Sequence, residues 1–152
     1  MLKSKKQYGF DPDYAIPPGE TLKEVMESLD MTQKELSIRT GLTVQSLNRI
    51  SKGEQPITYE TANRLELTTG ISARMWNNLE SQYREQLAKI REREQLESDL
   101  NWLKTIPTRE LIERGAIARQ EEKALLLRET LKFYGVSSVP AWKDIWEEPA
   151  VA

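Results

Sequence analysis

A chain of 152 residues with 38% hydrophobic and 30% charged side chains has material for a core and for a solvated exterior, which excludes an intrinsically disordered polymer. It contains no cysteine and no histidine, so disulfide frameworks, thiolate nucleophiles, Cys-based zinc sites, Ser-His-Asp triads and imidazole general bases are all ruled out. The formal net charge of −2 supplies no global attraction to nucleic acid, so any DNA contact must come from cations concentrated locally.

No apolar run approaches the length needed to span a bilayer, and the early lysines have no apolar stretch behind them. A membrane partner and a secretory signal are therefore not expected, and the expected location is cytoplasmic. No Gly-rich phosphate loop or paired-acid motif argues for catalysis. The chain reads as a non-enzyme with no cofactor, metal or catalytic residues.

In chain order, helical periodicity recurs almost everywhere and no strand pattern of useful length appears. The first helix is expected to start near Thr21, where Thr21-Leu22-Lys23-Glu24 has the spacing of a capping box. Leu22, Val25, Met26 and Leu29 then line one apolar stripe. Thr32-Gln33-Lys34-Glu35 is a second capping box, with Met31 and Leu36 at the spacing of a hydrophobic staple. Gly41 is placed to stop that helix in a left-handed conformation. Leu42-Thr43 with Leu47 repeats the design and Gly53 ends the third helix. Ile57-Thr58 with Ala62, and Ile71-Ser72 with Trp76, repeat it twice more. Successive starts of one kind, joined by short loops, predict a compact bundle over roughly residues 20–80.

From Ala73 a long helix is expected, with Trp76, Leu79, Tyr83, Leu87 and Ile90 in 3-4 spacing. Trp76 reads as a core residue sealing the bundle, the others as a dimer seam or a seat for later helices. Leu96, Leu100 and Leu103 resume the pattern, and nothing in the sequence breaks this helix before Pro107. The run from Arg84 to Asp99 reads as a solvated face laced with i,i+4 pairs. Beyond it come Thr108 to Glu113 stopped by Gly115, and Glu121 to Tyr134 stopped by Gly135. A last helix is expected from Ser137 or Ser138, with Pro140 in its first turn and Trp142, Ile145 and Trp146 on one face as packing residues. The tail after Glu148 is expected to fray.

Two short helices joined at a glycine turn form a helix-turn-helix. Leu36, Leu47 and Ile50 are its expected buried residues, and Ser37 is small where the helices approach. The outward face of the second helix would show Thr43, Val44, Gln45, Ser46, Asn48, Arg49 and Lys52. Gln and Asn can pair bidentately with adenine and Arg with guanine, while the Val44 methyls suit a thymine methyl. Gln33, in the first turn of the preceding helix, is placed to grip a backbone phosphate.

Residues 18–83 resemble the Cro/repressor-type (XRE) helix-turn-helix domain, most closely that of HigA-like antidote proteins of toxin–antitoxin modules. The resemblance rests on Pro18-Gly19-Glu20 with Leu22, Thr32-Gln33 with Glu35-Leu36, Gly41-Leu42-Thr43 and Ser46-Leu47-Asn48-Arg49-Ile50. Lys52-Gly53, Pro56-Ile57-Thr58, Ala62, Arg64-Leu65, Gly70 and Trp76-Asn77-Asn78-Leu79 extend it. It implies an all-α fold, a five-helix bundle followed by a long helix and a small C-terminal helical region. It also implies a homodimer that binds double-stranded operator DNA through Gln33, Thr43, Val44, Gln45, Ser46, Asn48, Arg49 and Lys52, represses its own operon and neutralises a ribonuclease toxin. Val44 departs from the pattern, standing where many relatives carry a polar base-reading residue, and acidic Glu54 follows the reading helix. Trp102-Leu103-Lys104, Glu110 to Gly115 and Leu131 to Val136 resemble the connector found where this domain is fused to an ImmA/IrrE-type zinc peptidase, whose His-Glu-x-x-His motif is absent.

The expected organisation is an N-terminal arm over 1–17, the helix-turn-helix domain over 18–83, a continuing connector helix over 84–104 and a C-terminal helical region over 105–152. Two other readings fit the residues. One is a stand-alone XRE-family repressor without a toxin. The other is an interaction adaptor whose helix-turn-helix no longer reads DNA, with residues 80–148 binding a partner.

Overall fold

The computed structural model describes residues 14–147, and every regular element among them is helical. The expected arm before Tyr14 and the tail from Glu148 lie outside the described residues. The described residues divide into two compact units, 14–88 and 89–147.

The first unit comprises α1 (Pro18–Ser28), α2 (Gln33–Thr40), α3 (Val44–Ser51), α4 (Tyr59–Thr69) and the first part of α5 (Ala73–Ser98). Three of the threonines that signal helix starts, and Ser72, act as caps. Thr32, Thr43, Thr58 and Ser72 each accept a hydrogen bond from the backbone N–H three residues on, at 3.1, 3.0, 3.2 and 3.2 Å. Each such cap stabilises its helix by about 1 kcal/mol. The reciprocal half of the Thr32 capping box is replaced, because the Glu35 carboxylate turns to Arg39 at 2.8 Å.

All the staple residues enter one core. Leu36, Leu47, Ile57, Ala62 and Trp76 are buried together with Leu22, Ile50 and Leu65, while Met31, Leu42 and Ile71 pack against them. Local start signals and global packing therefore agree. Trp76 is fully buried as expected, and its indole N–H finds no acceptor among the described residues, a cost of about 1–3 kcal/mol set against burial of the whole ring.

The first helix begins earlier than its sequence suggests. Pro18 occupies the first turn and Pro17 the N-cap, without a side-chain cap bond, so Thr21 lies inside the helix and its capping box does not form. A proline at the first helical position has its φ already set and no N–H to satisfy. The earlier start buries Gly19 against the end of α3. A Cβ there would collide with Ser51 Cα and stand only 2.5 and 2.6 Å from the carbonyl oxygens of Ser51 and Ile50.

The second unit contains the end of α5, then α6 (Leu100–Leu103), α7 (Thr108–Glu113), α8 (Lys123–Tyr134) and α9 (Val139–Trp146). Its core joins Leu96, Trp102, Leu103, Ile106, Ala124, Leu127, Leu131 and Val139. Arg93 pairs with Glu122 and Arg128 with Glu92, tying the end of α5 to the start and middle of α8. Ser138 caps α9 by accepting from the Ala141 N–H at 3.2 Å, with Pro140 in the first turn as expected. Trp142 packs edge-on against Trp102 and Tyr134, but Ile145 and Trp146 remain largely exposed.

The long helix does not run unbroken to Pro107. It ends at Ser98, and Asp99 adopts φ −104°, ψ 8° before α6 begins. The Ser98 hydroxyl donates to the Gln95 carbonyl at 2.7 Å, and Gln95 Nε2 donates to the Asp99 carboxylate at 3.0 Å. Such side chains compete with the helical ladder, and the break lets Trp102, Leu103 and Ile106 enter the core around Leu127. Hydrophobic spacing through Leu103 does not reveal it.

Gly19→Ala is expected to destabilise the first unit by about 1–3 kcal/mol or more, because backbone atoms have to move. Thermal unfolding followed by circular dichroism checks this; an unchanged midpoint would contradict the close approach of α1 and α3.

Candidate nucleic-acid interface

The turn between α2 and α3 is built from side chains as much as from backbone. Gly41 takes φ +75°, and its N–H bonds to the Ser37 carbonyl at 3.0 Å, a left-handed stop open to glycine at little cost. Ser37 then donates its hydroxyl to the Leu42 carbonyl. Thr40 donates to the Leu36 carbonyl at 2.7 Å and accepts from the Leu42 N–H at 3.2 Å. Ser37 is thus small and also a lock on the turn, and Thr40, unremarked in the sequence, is its second lock. Arg64 of α4 donates to the Thr40 carbonyl at 3.3 Å, placing a cation at the negative end of the α2 dipole.

With the turn fixed, Leu36, Leu47 and Ile50 face the core. At ~100° per residue, Val44, Asn48, Lys52, Gln45 and Arg49 fall within one arc of about 140° on the far side of α3. All of them are exposed, Val44 at 45%. The side chains of Gln45, Asn48, Arg49 and Lys52 have no hydrogen-bond or ion-pair partner among the described residues. Two amides, two cations and a branched methyl group are therefore presented together, which is the donor, acceptor and apolar set that base edges in a major groove can meet.

The other sequence-singled residues take different positions. Thr43 is exposed, but its oxygen holds the Ser46 N–H as the cap of α3, leaving the hydroxyl proton and one lone pair to offer outward. Ser46 lies off the arc, half-buried, and its hydroxyl accepts from Gln55 Nε2 at 3.0 Å. Gln55 had no local signal, because its partner is nine residues away. Gln33 stands half-buried in the first turn of α2, among the unpaired N–H groups of the helix start.

Charge around this surface is arranged pairwise. Glu35 is matched by Arg39 and Glu60 by Arg64, at 2.8 and 2.9 Å. These exposed pairs contribute little stability. Glu54, in the loop after α3, has no ion-pair partner among the described residues, so it partly offsets Arg49 and Lys52. The end of α3 is closed by Gly53 at φ +75°, with the Glu54 N–H returning to the Arg49 carbonyl at 2.9 Å and the Gly53 N–H to the Ile50 carbonyl at 3.1 Å. This double closure, a Schellman motif, ends α3 sharply.

No group of His, Cys, Asp or Glu that could hold a metal occurs among the described residues. No helix among them is long and apolar enough to cross a membrane.

Thr43→Ala is expected to lower stability by about 1 kcal/mol, and Thr43→Ser to restore most of it. Equal unfolding midpoints for the alanine variant and the parent would show that the cap does not hold α3.

Comparison with known proteins agrees with this geometry. A family model described as helix-turn-helix matches residues 22–76. No curated protein matches the chain. Among solved structures, an addiction module antidote protein of a HigA family from Coxiella burnetii is 29% identical, covering 56% of this chain and 94% of that one, with a TM-score of 0.51. PA4674 from Pseudomonas aeruginosa, solved in complex with its operator DNA, is 30% identical, covering 53% of this chain and 84% of that one, with a TM-score of 0.46. Residues 22–76 are therefore an XRE-type helix-turn-helix domain, in a chain structurally similar to a HigA-family antidote.

Proposed function

We propose that this XRE-type domain lays α3 in the major groove of an operator, and that the protein is a sequence-specific transcriptional regulator. The observation that carries the reading is the exposed arc of Val44, Gln45, Asn48, Arg49 and Lys52, whose polar members have no partner among the described residues. A face left so unsatisfied costs nothing in water and is ready to exchange water for base edges. Gln33 and the free N–H groups at the starts of α2 and α3 suit phosphate, which sets register without reading sequence. Recognition of a palindromic site calls for a homodimer, with two copies of α3 about 34 Å apart.

The finer reading is that the protein is the antitoxin of a HigBA-type (type II) pair, repressing its own operon and neutralising a ribonuclease toxin. The likeness to the HigA-family antidote supports it. In this reading the C-terminal unit serves partner binding and not catalysis. The test is co-expression with the protein encoded beside it: a stable complex that suppresses a ribonuclease activity is the expected result, and a neighbour with no such activity would leave a stand-alone repressor.

For DNA reading, Arg49→Ala and Asn48→Ala are each expected to weaken operator binding by about 1–3 kcal/mol while affinity for a scrambled duplex stays nearly unchanged. Gln33→Ala is expected to weaken both alike, as a phosphate contact does. The logarithm of the binding constant should fall steeply with the logarithm of salt concentration. An equal loss on scrambled DNA for Arg49→Ala would contradict its assignment to a base, and a flat salt dependence would favour the adaptor reading.

A further inference from the structure

The residues that would touch DNA are on α3, but the structure also shows what holds the far end of α3 in place. Its closing residue, Gly53, is enclosed on two sides. A Cβ added there would stand 2.6 Å from Tyr83 Oη and 3.0 Å from Pro17 Cβ. The Gly53 carbonyl accepts from Arg84 Nη2 at 3.4 Å. Arg84 is itself held, by the Glu80 carboxylate at 2.7 Å and by the Tyr83 ring, whose centroid lies 4.9 Å from its guanidinium carbon. Its charge thus sits at the negative end of the α3 dipole. Glu80, Tyr83 and Arg84 all come from α5, thirty or so residues further along the chain.

We infer that Tyr83 and Arg84 are positioning residues for the DNA reading proposed above, setting how the C-terminal turn of α3 seats in the groove and so determining operator discrimination without touching a base. This rests on that reading. The physical reason lies in the two kinds of contact. Hydrogen bonds from Asn48 and Arg49 to base edges are directional and weaken steeply with misalignment. Coulombic attraction to phosphates falls slowly with distance and tolerates a shift. A small displacement of the Lys52–Gly53 end therefore degrades specific binding while sparing nonspecific binding. Position at that end is decided by α1, through Gly19, and by α5, through Tyr83 and Arg84. The α1 contact is backbone against backbone, so it holds α3 close but offers no directional side-chain bond; the α5 contact supplies the cation, the ring and the hydrogen bond.

The test uses the full chain and the duplex that the parent protein enriches from a random-sequence pool, against a scrambled duplex of equal length. Arg84→Met keeps the aliphatic stem and removes the cation; Tyr83→Leu removes the ring that Arg84 rests on. Each is expected to lower affinity for the enriched duplex by about tenfold, to leave the scrambled duplex within about twofold, and to leave the salt slope unchanged. Arg84→Lys, which keeps the charge at the helix end, and Tyr83→Phe, which keeps the ring, are expected to retain most of the discrimination. They also keep the inference testable should a harsher variant fail to fold. A salt slope reduced by about 0.9 with equal losses on both duplexes would make Arg84 a phosphate contact and overturn the inference. Unchanged discrimination in folded Arg84→Met and Tyr83→Leu would overturn it as well. In both cases Arg49→Ala would still lose operator affinity, whereas a parent protein that enriches no sequence would overturn the DNA reading itself.

Discussion

The absence of a side chain at Gly19 is the constraint on which the reading surface depends. α1 approaches the last turn of α3 so closely that a methyl group would strike backbone, not movable side chains. Backbone cannot yield without dragging the helix, so the separation of α1 and α3 is set by a hard contact. Leu22, three residues on, then reaches the core beside Leu47 and Ile50. Because those two residues are drawn inward on one side of α3, Val44, Gln45, Asn48, Arg49 and Lys52 are turned outward on the other.

The start of α3 is defined as firmly as its end. Thr43 caps it, Leu42 and Leu47 staple it, and the Ser37 and Thr40 hydroxyls bind the turn that precedes it. An isolated helix of eight residues would not form in water, because nucleation is too unfavourable. Tertiary contacts at both ends supply what length does not. This permits the exposed side chains to be chosen for chemistry and not for helix propensity, so Val44 and Asn48 are tolerated on a face that makes no packing contribution.

An acidic chain that is proposed to meet DNA has to manage its own field. Glu35 is paired with Arg39 on α2 and Glu60 with Arg64 on α4, without adding much stability. What remains on α3 is two cations and a group of neutral amides, with Glu54 at the edge. In the proposed reading, hydrogen bonds from these amides to base edges add discrimination to the attraction between the cations and phosphate.

By itself the sequence determined where α2 to α5 begin, which residues enter the first core, and which face of α3 is polar. Caps, staples and helical periodicity act over three or four residues, between groups that the covalent chain already holds near one another. Tertiary structure alone decided the rest. It brought Gly19, at the early start that Pro18 permits, against Ser51, and it carried Trp102 and Leu103 beyond the break at Asp99 to Leu127. It withdrew Ser46 from the open face to Gln55, and it brought Tyr83 and Arg84 against Gly53. Each of these joins residues well separated along the chain, and their meeting is set by how helices pack, which no local spacing of side chains records.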